Sequence, residues 1–193
     1  PMLAGSLLQQ CYNIADTLIV GQCIGANALA AVGSAYTLMV FLISILLGLS
    51  MGSGTVFSLQ YGAGDLSALR RSIYVSFLLI GTVTILLNVA VFLWLDPILR
   101  WLQVPYDIYS LMRNYLWIIF WGIVFTFLYN FYAALLRAVG DSVTPLWFLA
   151  VSVVLNIGLD LFLILVLDQG IEGAAVATVI AQGTAASGIL LYT

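Results

Sequence analysis

Two acids, an amide and a hydroxyl stand out from long apolar runs: Asp16, Asn156, Asp160 and Thr178. An ionisable group at the centre of a bilayer costs about 2.5–3.5 kcal/mol on insertion scales, so one found there is expected to have a task. Asp16 precedes Gly21 by five residues, about 7–8 Å of helix, and Asp160 precedes Asp168 by eight, about 12 Å. Thr178 follows Glu172 by six, about 9 Å. Counted from one membrane face, the three lie at matched depth. Asn156 is four residues before Asp160 and shares its helical face, and Ser152 extends that polar stripe by another turn. The four groups are therefore expected to converge on a buried cluster. Two carboxylates in contact can share a proton, and carboxylate, amide and hydroxyl oxygens together suit a small hard cation such as Na⁺. The competing reading is interhelical hydrogen bonding that only glues helices together. Asn130 is a weaker candidate. It lies seven residues from Arg137, about 10 Å from that end, so it reaches Asp16 only if its helix bends.

These residues need a membrane around them. Of 193 residues, 64% are hydrophobic and 7% charged, against about 45–50% and about 25% in soluble domains, and the mean hydropathy is +1.17. The chain reads as an all-α, polytopic integral membrane protein. Apolar runs bounded by Gly, Pro and charge predict six spans, near 1–21, 28–60, 70–95, 107–136, 143–167 and 172–193. The connections are short and polar, so the six form one bundle over 1–193 with no linker. Arg70, Arg71 and Arg137 fall on the even connections with Asp65 and Asp141, while Asp96, Asp107, Asp168 and Glu172 fall on the odd ones with Arg100 and, a turn into the fourth span, Arg113, so three Arg stand against two. The positive-inside rule then makes the even side and the N-terminus cytoplasmic, with the inner (plasma) membrane as location. Both ends interrupt apolar sequence, which suggests a piece of a longer membrane protein.

Composition also excludes chemistries. Without histidine there is no Ser-His or Cys-His nucleophile and no His-ligated zinc. Five Arg, no Lys and a net charge of −3 give no nucleic-acid footprint. Cys11 and Cys23, twelve helical steps or roughly 18 Å apart, are too distant for a disulfide, whose Cα atoms lie within about 7 Å. No enzyme active site and no cofactor are expected.

Small and aromatic residues add weaker expectations. Gly48, Gly52 and Gly54 with Ser50 and Ser53, and the Gly/Ala-rich sixth span, suit close or sliding helix contacts. Pro1 either hinges or starts the first helix. Trp94 and Trp101 fit an interfacial belt. Phe120, Phe127, Phe131 and nearby tyrosines such as Tyr129 are candidates to line a cavity for flat organic cations.

Ala15-Asp-Thr-Leu-Ile-Val-Gly21 with Gly25-Ala-Asn-Ala-Leu-Ala-Ala-Val-Gly33 resembles the opening signature of the multidrug and toxic compound extrusion (MATE) family. Arg137-Ala-Val-Gly-Asp-Ser-Val-Thr-Pro145, Leu155-Asn-Ile-Gly-Leu-Asp160 and Gly170-Ile-Glu-Gly-Ala-Ala-Val-Ala-Thr178 resemble later motifs of that family, in order. The resemblance covers nearly the whole chain. It implies one six-helix lobe, the N-terminal one, of a twelve-helix transporter whose second lobe is the missing partner. It implies export of small organic, often cationic, compounds in exchange for H⁺ or Na⁺. It also implies an ion site at Asp16, Asn156, Asp160 and Thr178, sometimes with Asn130, and a bend at Pro1. Ala15 departs mildly from the family's pattern.

Three other functions fit parts of the sequence. A lipid-linked-sugar flippase of the same superfamily needs basic residues lining a cavity to hold pyrophosphate, but Arg70, Arg71, Arg100 and Arg113 sit at span ends. An intramembrane aspartyl protease is suggested by Gly62-Ala-Gly-Asp65, yet its chemistry needs a second acid beside Asp65, and Asp16 is expected toward the opposite face. A packing module that scaffolds another chain would use the acids only as glue.

Overall fold

The computed structural model describes residues 2–193, with side chains described at 7, 8 and 14–193. Pro1 and Cys11, singled out above, lie outside the described residues and side chains respectively. The chain folds into helices α1 (Met2–Cys23), α2 (Ala26–Gly62), α3 (Leu66–Trp101), α4 (Tyr106–Trp121), α5 (Ile123–Ala138), α6 (Thr144–Leu161) and α7 (Gly170–Tyr192). A π-helical turn, Phe162–Val166, continues α6. No strand occurs among the described residues.

Local sequence explains most of the boundaries. Gly25, at φ 116°, turns the chain between α1 and α2 in a conformation closed to other residues. Asp65 caps α3, its carboxylate accepting hydrogen bonds from the Ala68 N–H (2.9 Å) and the Ser67 hydroxyl (2.7 Å). Pro105 precedes α4, and Pro145 occupies the first turn of α6, where a missing N–H costs nothing. α2 and α3, at 37 and 36 residues, run about 55 Å each. They exceed a hydrocarbon core of about 30 Å, so their ends emerge from it. Leu59, Leu86 and Leu93 are 64–70% exposed on these helices, and at membrane depth that surface meets lipid. Among the described residues, four helices have the length and hydropathy of spans, and α4 with α5 forms a fifth, broken one. α1 has 22 helical residues.

Three departures from the sequence reading concern boundaries. α3 does not stop at Asp96-Pro97 but runs through it to Trp101, leaving only 102–105 as connection. Pro97 removes a single ladder bond, while Leu95 and Leu99, 2% and 0% exposed, carry the buried stripe across it. The fourth span is not one helix. It breaks at Gly122, and its halves are bent by 43°. The fifth span changes winding after Leu161.

The core is aromatic. Phe57, Phe120 and Phe131 are fully buried, and Phe77 packs on Phe127 (5.4 Å) and Phe131 (5.3 Å) between ring centroids. Phe120, Phe127 and Phe131 serve as core packing: each has ring partners, and none exceeds 4% exposure. The small-residue face of α2 is used in part. A Cβ on Gly54 would stand 3.3 Å from that of Ala134, whereas Gly48 and Gly52 face open space. Trp94, Trp101 and Tyr106 are exposed around the Asp96 end of the bundle. Cys23 is an exposed free thiol.

Candidate functional site

Three helices deliver the site: Asp16 comes from α1, Asn156 and Asp160 from α6, and Thr178 from α7. All four are buried, at 7%, 0%, 0% and 3% exposure. The four-residue step from Ser152 to Asn156 to Asp160 puts one polar stripe on α6. α7 comes close to that stripe because its facing residues are small. Ala174, Ala175, Ala177 and Ala181 are all essentially inaccessible, and a Cβ on Gly173 would lie 3.2 Å from Leu163. Asp160 stands two residues before the π turn, where the winding loosens.

The geometry joins the residues that the sequence grouped. The Asp16 and Asp160 carboxyl groups meet in hydrogen-bonding contact across α1 and α6. With its amide oriented to satisfy both neighbours, Asn156 donates to Asp160 Oδ2 (3.0 Å) and accepts from the Thr178 backbone N–H (3.3 Å). Oδ1 of Asp16 and Oδ1 of Asp160 are buried and find no hydrogen-bond partner among the described residues. Unsatisfied carboxylate oxygens in such a setting are costly. A proton or a small cation is the occupant whose charge matches them. Among the described residues no three of His, Cys, Asp and Glu cluster as a transition-metal site, and the ligand set here is all oxygen, which suits H⁺ or a hard ion.

Asn130 sits elsewhere. Its amide donates to the Thr126 carbonyl one turn back (2.8 Å), and its side chain lines a cavity of about 80 Å³ with Thr126, Tyr129, Ser152 and Gln182. Ser152 donates to the Ala181 carbonyl (2.9 Å), pinning α6 to α7. This cavity lies one turn along α6 and α7 from Asn156 and Thr178, since Ser152 precedes Asn156 by four residues and Gln182 follows Thr178 by four, and about two turns from Asp160. Gln182 and Thr126 were not singled out by sequence. The usable signal was an amide one helical turn from Thr178, and nothing in the sequence pointed to Thr126 as its partner.

Away from the site, several charges join helices. Asp96 takes the Arg113 Nε–H at 2.8 Å and the Tyr109 hydroxyl at 3.0 Å, and Asn114 donates to Glu172 at 2.8 Å. These contacts join α3 to α4 and α4 to α7. Asp65, the acid that suggested an aspartyl protease, is an exposed helix cap bonded to its own turn. The acid that pairs with Asp16 is Asp160, so Asp65 does not supply the paired acid that an aspartyl protease needs.

A family model described as MatE matches residues 1–162. The chain is 38% identical over 185 residues to the probable multidrug resistance protein YpnP of Bacillus subtilis, covering 96% of this chain and 42% of that protein. Its structure is similar to that of a multidrug resistance MATE family transporter of the MOP superfamily in the outward-facing conformation. The TM-score is 0.93 at 25% identity, over all of this chain and 42% of that one. It is also similar to the Vibrio cholerae MATE transporter VcmN in its bent form, with a TM-score of 0.90 at 28% identity, over all of this chain and 44% of that one. The chain thus spans well under half the length of the relatives it matches.

Proposed function

The chain belongs to the MatE family, and on that footing we propose that it forms the N-terminal lobe of an ion-coupled exporter of small organic, often cationic, compounds. The reading rests above all on one observation: two buried acids from separate helices touch, and each keeps an unpartnered oxygen. Asp16, Asp160, Asn156 and Thr178 form the site of the coupling ion, H⁺ or Na⁺. Bare carboxylates at this separation repel, and low dielectric amplifies that repulsion. When the pair carries a proton or a cation, α1 closes on α6. When it does not, α1 is pushed away. Asn156 holds Asp160 against α7 throughout, so the displacement falls on α1.

A second lobe completes the exporter, and the organic substrate passes between the two, with this lobe alternating as its acid pair loads and unloads. The N-terminus and the Arg70, Arg71 and Arg137 end face the cytoplasm across the inner membrane. The flippase reading is less well supported, because Arg70 and Arg71 are exposed and Arg113 is already paired with Asp96. The test is export of a fluorescent organic cation from vesicles holding the full-length protein, under a proton or a sodium gradient imposed separately. Asp16→Asn and Asp160→Asn each abolish gradient-driven export while the protein remains folded and monodisperse. Wild-type export in both variants rejects the assignment.

A further inference from the structure

The break in the fourth span is built with more care than a packing defect requires. α4 ends at Trp121 and α5 begins at Ile123, with Gly122 between them and a 43° bend. A helix broken inside a membrane leaves backbone groups that must find partners. Here the Phe120 carbonyl takes a 2.6 Å hydrogen bond from the Asn88 amide of α3, thirty-two residues away in sequence. On the other side, the Gly122 carbonyl accepts from the Thr126 backbone N–H (3.0 Å), and the Thr126 hydroxyl, 3.2 Å from the same carbonyl, donates to Gln182 Oε1 of α7 (3.0 Å). Gly122 is tightly flanked: a Cβ would stand 2.9 Å from Gln182 Oε1, 3.0 Å from the Ile119 carbonyl and 3.1 Å from Val179, so a side chain here would displace the Gln182 amide. The break is thus gripped from α3 on one half and from α7 on the other.

The α7 grip leads to the acid site. Gln182 lies one turn from Thr178 on the same face of α7, and Thr178 contacts Asn156, which holds Asp160. Sharp kinks require a specific cause and are not generic flexibility, and here that cause is a clasp that includes the neighbour of the ion site.

We propose that Gly122 is a working hinge in the fourth span and that Gln182, a positioning residue clasping Thr126 across it, couples the bend to occupancy of the Asp16–Asp160 pocket. Asn88 is the fixed anchor on the α3 side. The coupling rests on the ion-site reading above, whereas the hinge and its two anchors stand on their own contacts. Movement of α7 at Thr178 reaches Thr126 through Gln182, and the half-helix beyond Gly122 swings in response.

The full-length protein in lipid nanodiscs, lacking Cys11 and Cys23, is spin-labelled through Tyr106→Cys and Val139→Cys, which bracket α4 and α5. Each half-helix is about 24 Å long, so straightening a bend of this size lengthens the span by roughly 3 Å. The distance is read with and without the coupling ion, and ion binding is read separately by the thermal shift it produces. The proposal expects an ion-dependent change of distance in the parent protein. Gln182→Leu and Thr126→Val abolish that change while the thermal shift persists, and Thr126→Ser restores it. Asn88→Leu broadens the distance distribution in both ion states. An unchanged ion-dependent distance in Gln182→Leu overturns the coupling, as does a thermal shift with no distance change in the parent. A parent that shows no thermal shift with either ion defeats the ion site itself and the coupling with it. A distribution in Asn88→Leu identical to the parent's overturns the anchored hinge independently of the ion.

Discussion

Replacing Asp160 by asparagine removes one charge from the acid pair and keeps its shape. The new side chain still offers an oxygen to Asn156, which now bonds Asp160 Oδ2 at 3.0 Å. Two unit charges about 4 Å apart repel by about 4 kcal/mol at an effective dielectric of 20, which bounds what neutralising one of them returns to the ion-free protein. The same substitution removes the ion's attraction to the site. A ligand that binds only the folded state stabilises it by about 2.7 kcal/mol at a hundred times its dissociation constant. At about 2–4 °C per kcal/mol for a unit of this lobe's size, and less for the longer full-length protein, the unfolding midpoint rises by at most about 5–10 °C. The assay is thermal unfolding of the full-length protein in detergent, titrated with Na⁺ and, in a parallel series, acidified. The parent protein gains stability with its coupling ion. Asp160→Asn loses that gain but unfolds at or above the temperature of the ion-free parent, because the repulsion has gone. Asp16→Asn behaves alike. The reasoning is refuted if Asp160→Asn keeps the full ion-induced shift, or if it unfolds well below the ion-free parent, since that pattern belongs to a carboxylate acting as interhelical glue.

Two further predictions test the fold around the site. A Cβ on Gly188 would stand 2.6 and 2.7 Å from Phe148 ring carbons, so Gly188→Ala destabilises by about 1–3 kcal/mol through overpacking. Adding Phe148→Leu recovers much of that loss in the same unfolding assay, and equal loss in the double variant contradicts the contact. At the exposed helix starts, hydrogen bonds from the Ala68 N–H and the Thr144 side chain hold Asp65 and Asp141, respectively, below the ordinary carboxylate value of 3.8. With a lowered folded value, the stabilisation is present above that ordinary value and is lost as pH falls through the folded one. Asp65→Asn with Asp141→Asn therefore flattens the acid limb of the stability curve without changing ion-driven export, and an unaltered acid limb rejects these caps as its source.

What one-dimensional order determined here follows from periodicity and from solvation. A membrane bundle was legible because apolar runs long enough to cross a bilayer cannot be kept in water, and Asp16 and Asp160 stood out because a charge in such a run is expensive. Counting residues from the helix ends matched their depth, since helical rise is fixed at about 1.5 Å per residue. The stripe of Ser152, Asn156 and Asp160 followed from helical spacing alone. Direction around the bundle is another matter. Depth does not say which helices adjoin, so only the packed structure decided that α1 meets α6 and that Asn156 bridges Asp160 to α7. The fates of Phe120, Phe127 and Phe131 were undecided for the same reason: an aromatic lines a cavity or fills a core depending on which neighbours arrive. The run through Pro97 and the break at Gly122 show local signals yielding to tertiary contacts. Buried leucines on both sides outweighed one lost backbone bond at Pro97. At Gly122, the kink is held at its ends by Asn88 and Gln182, residues distant in sequence that only the fold brings there.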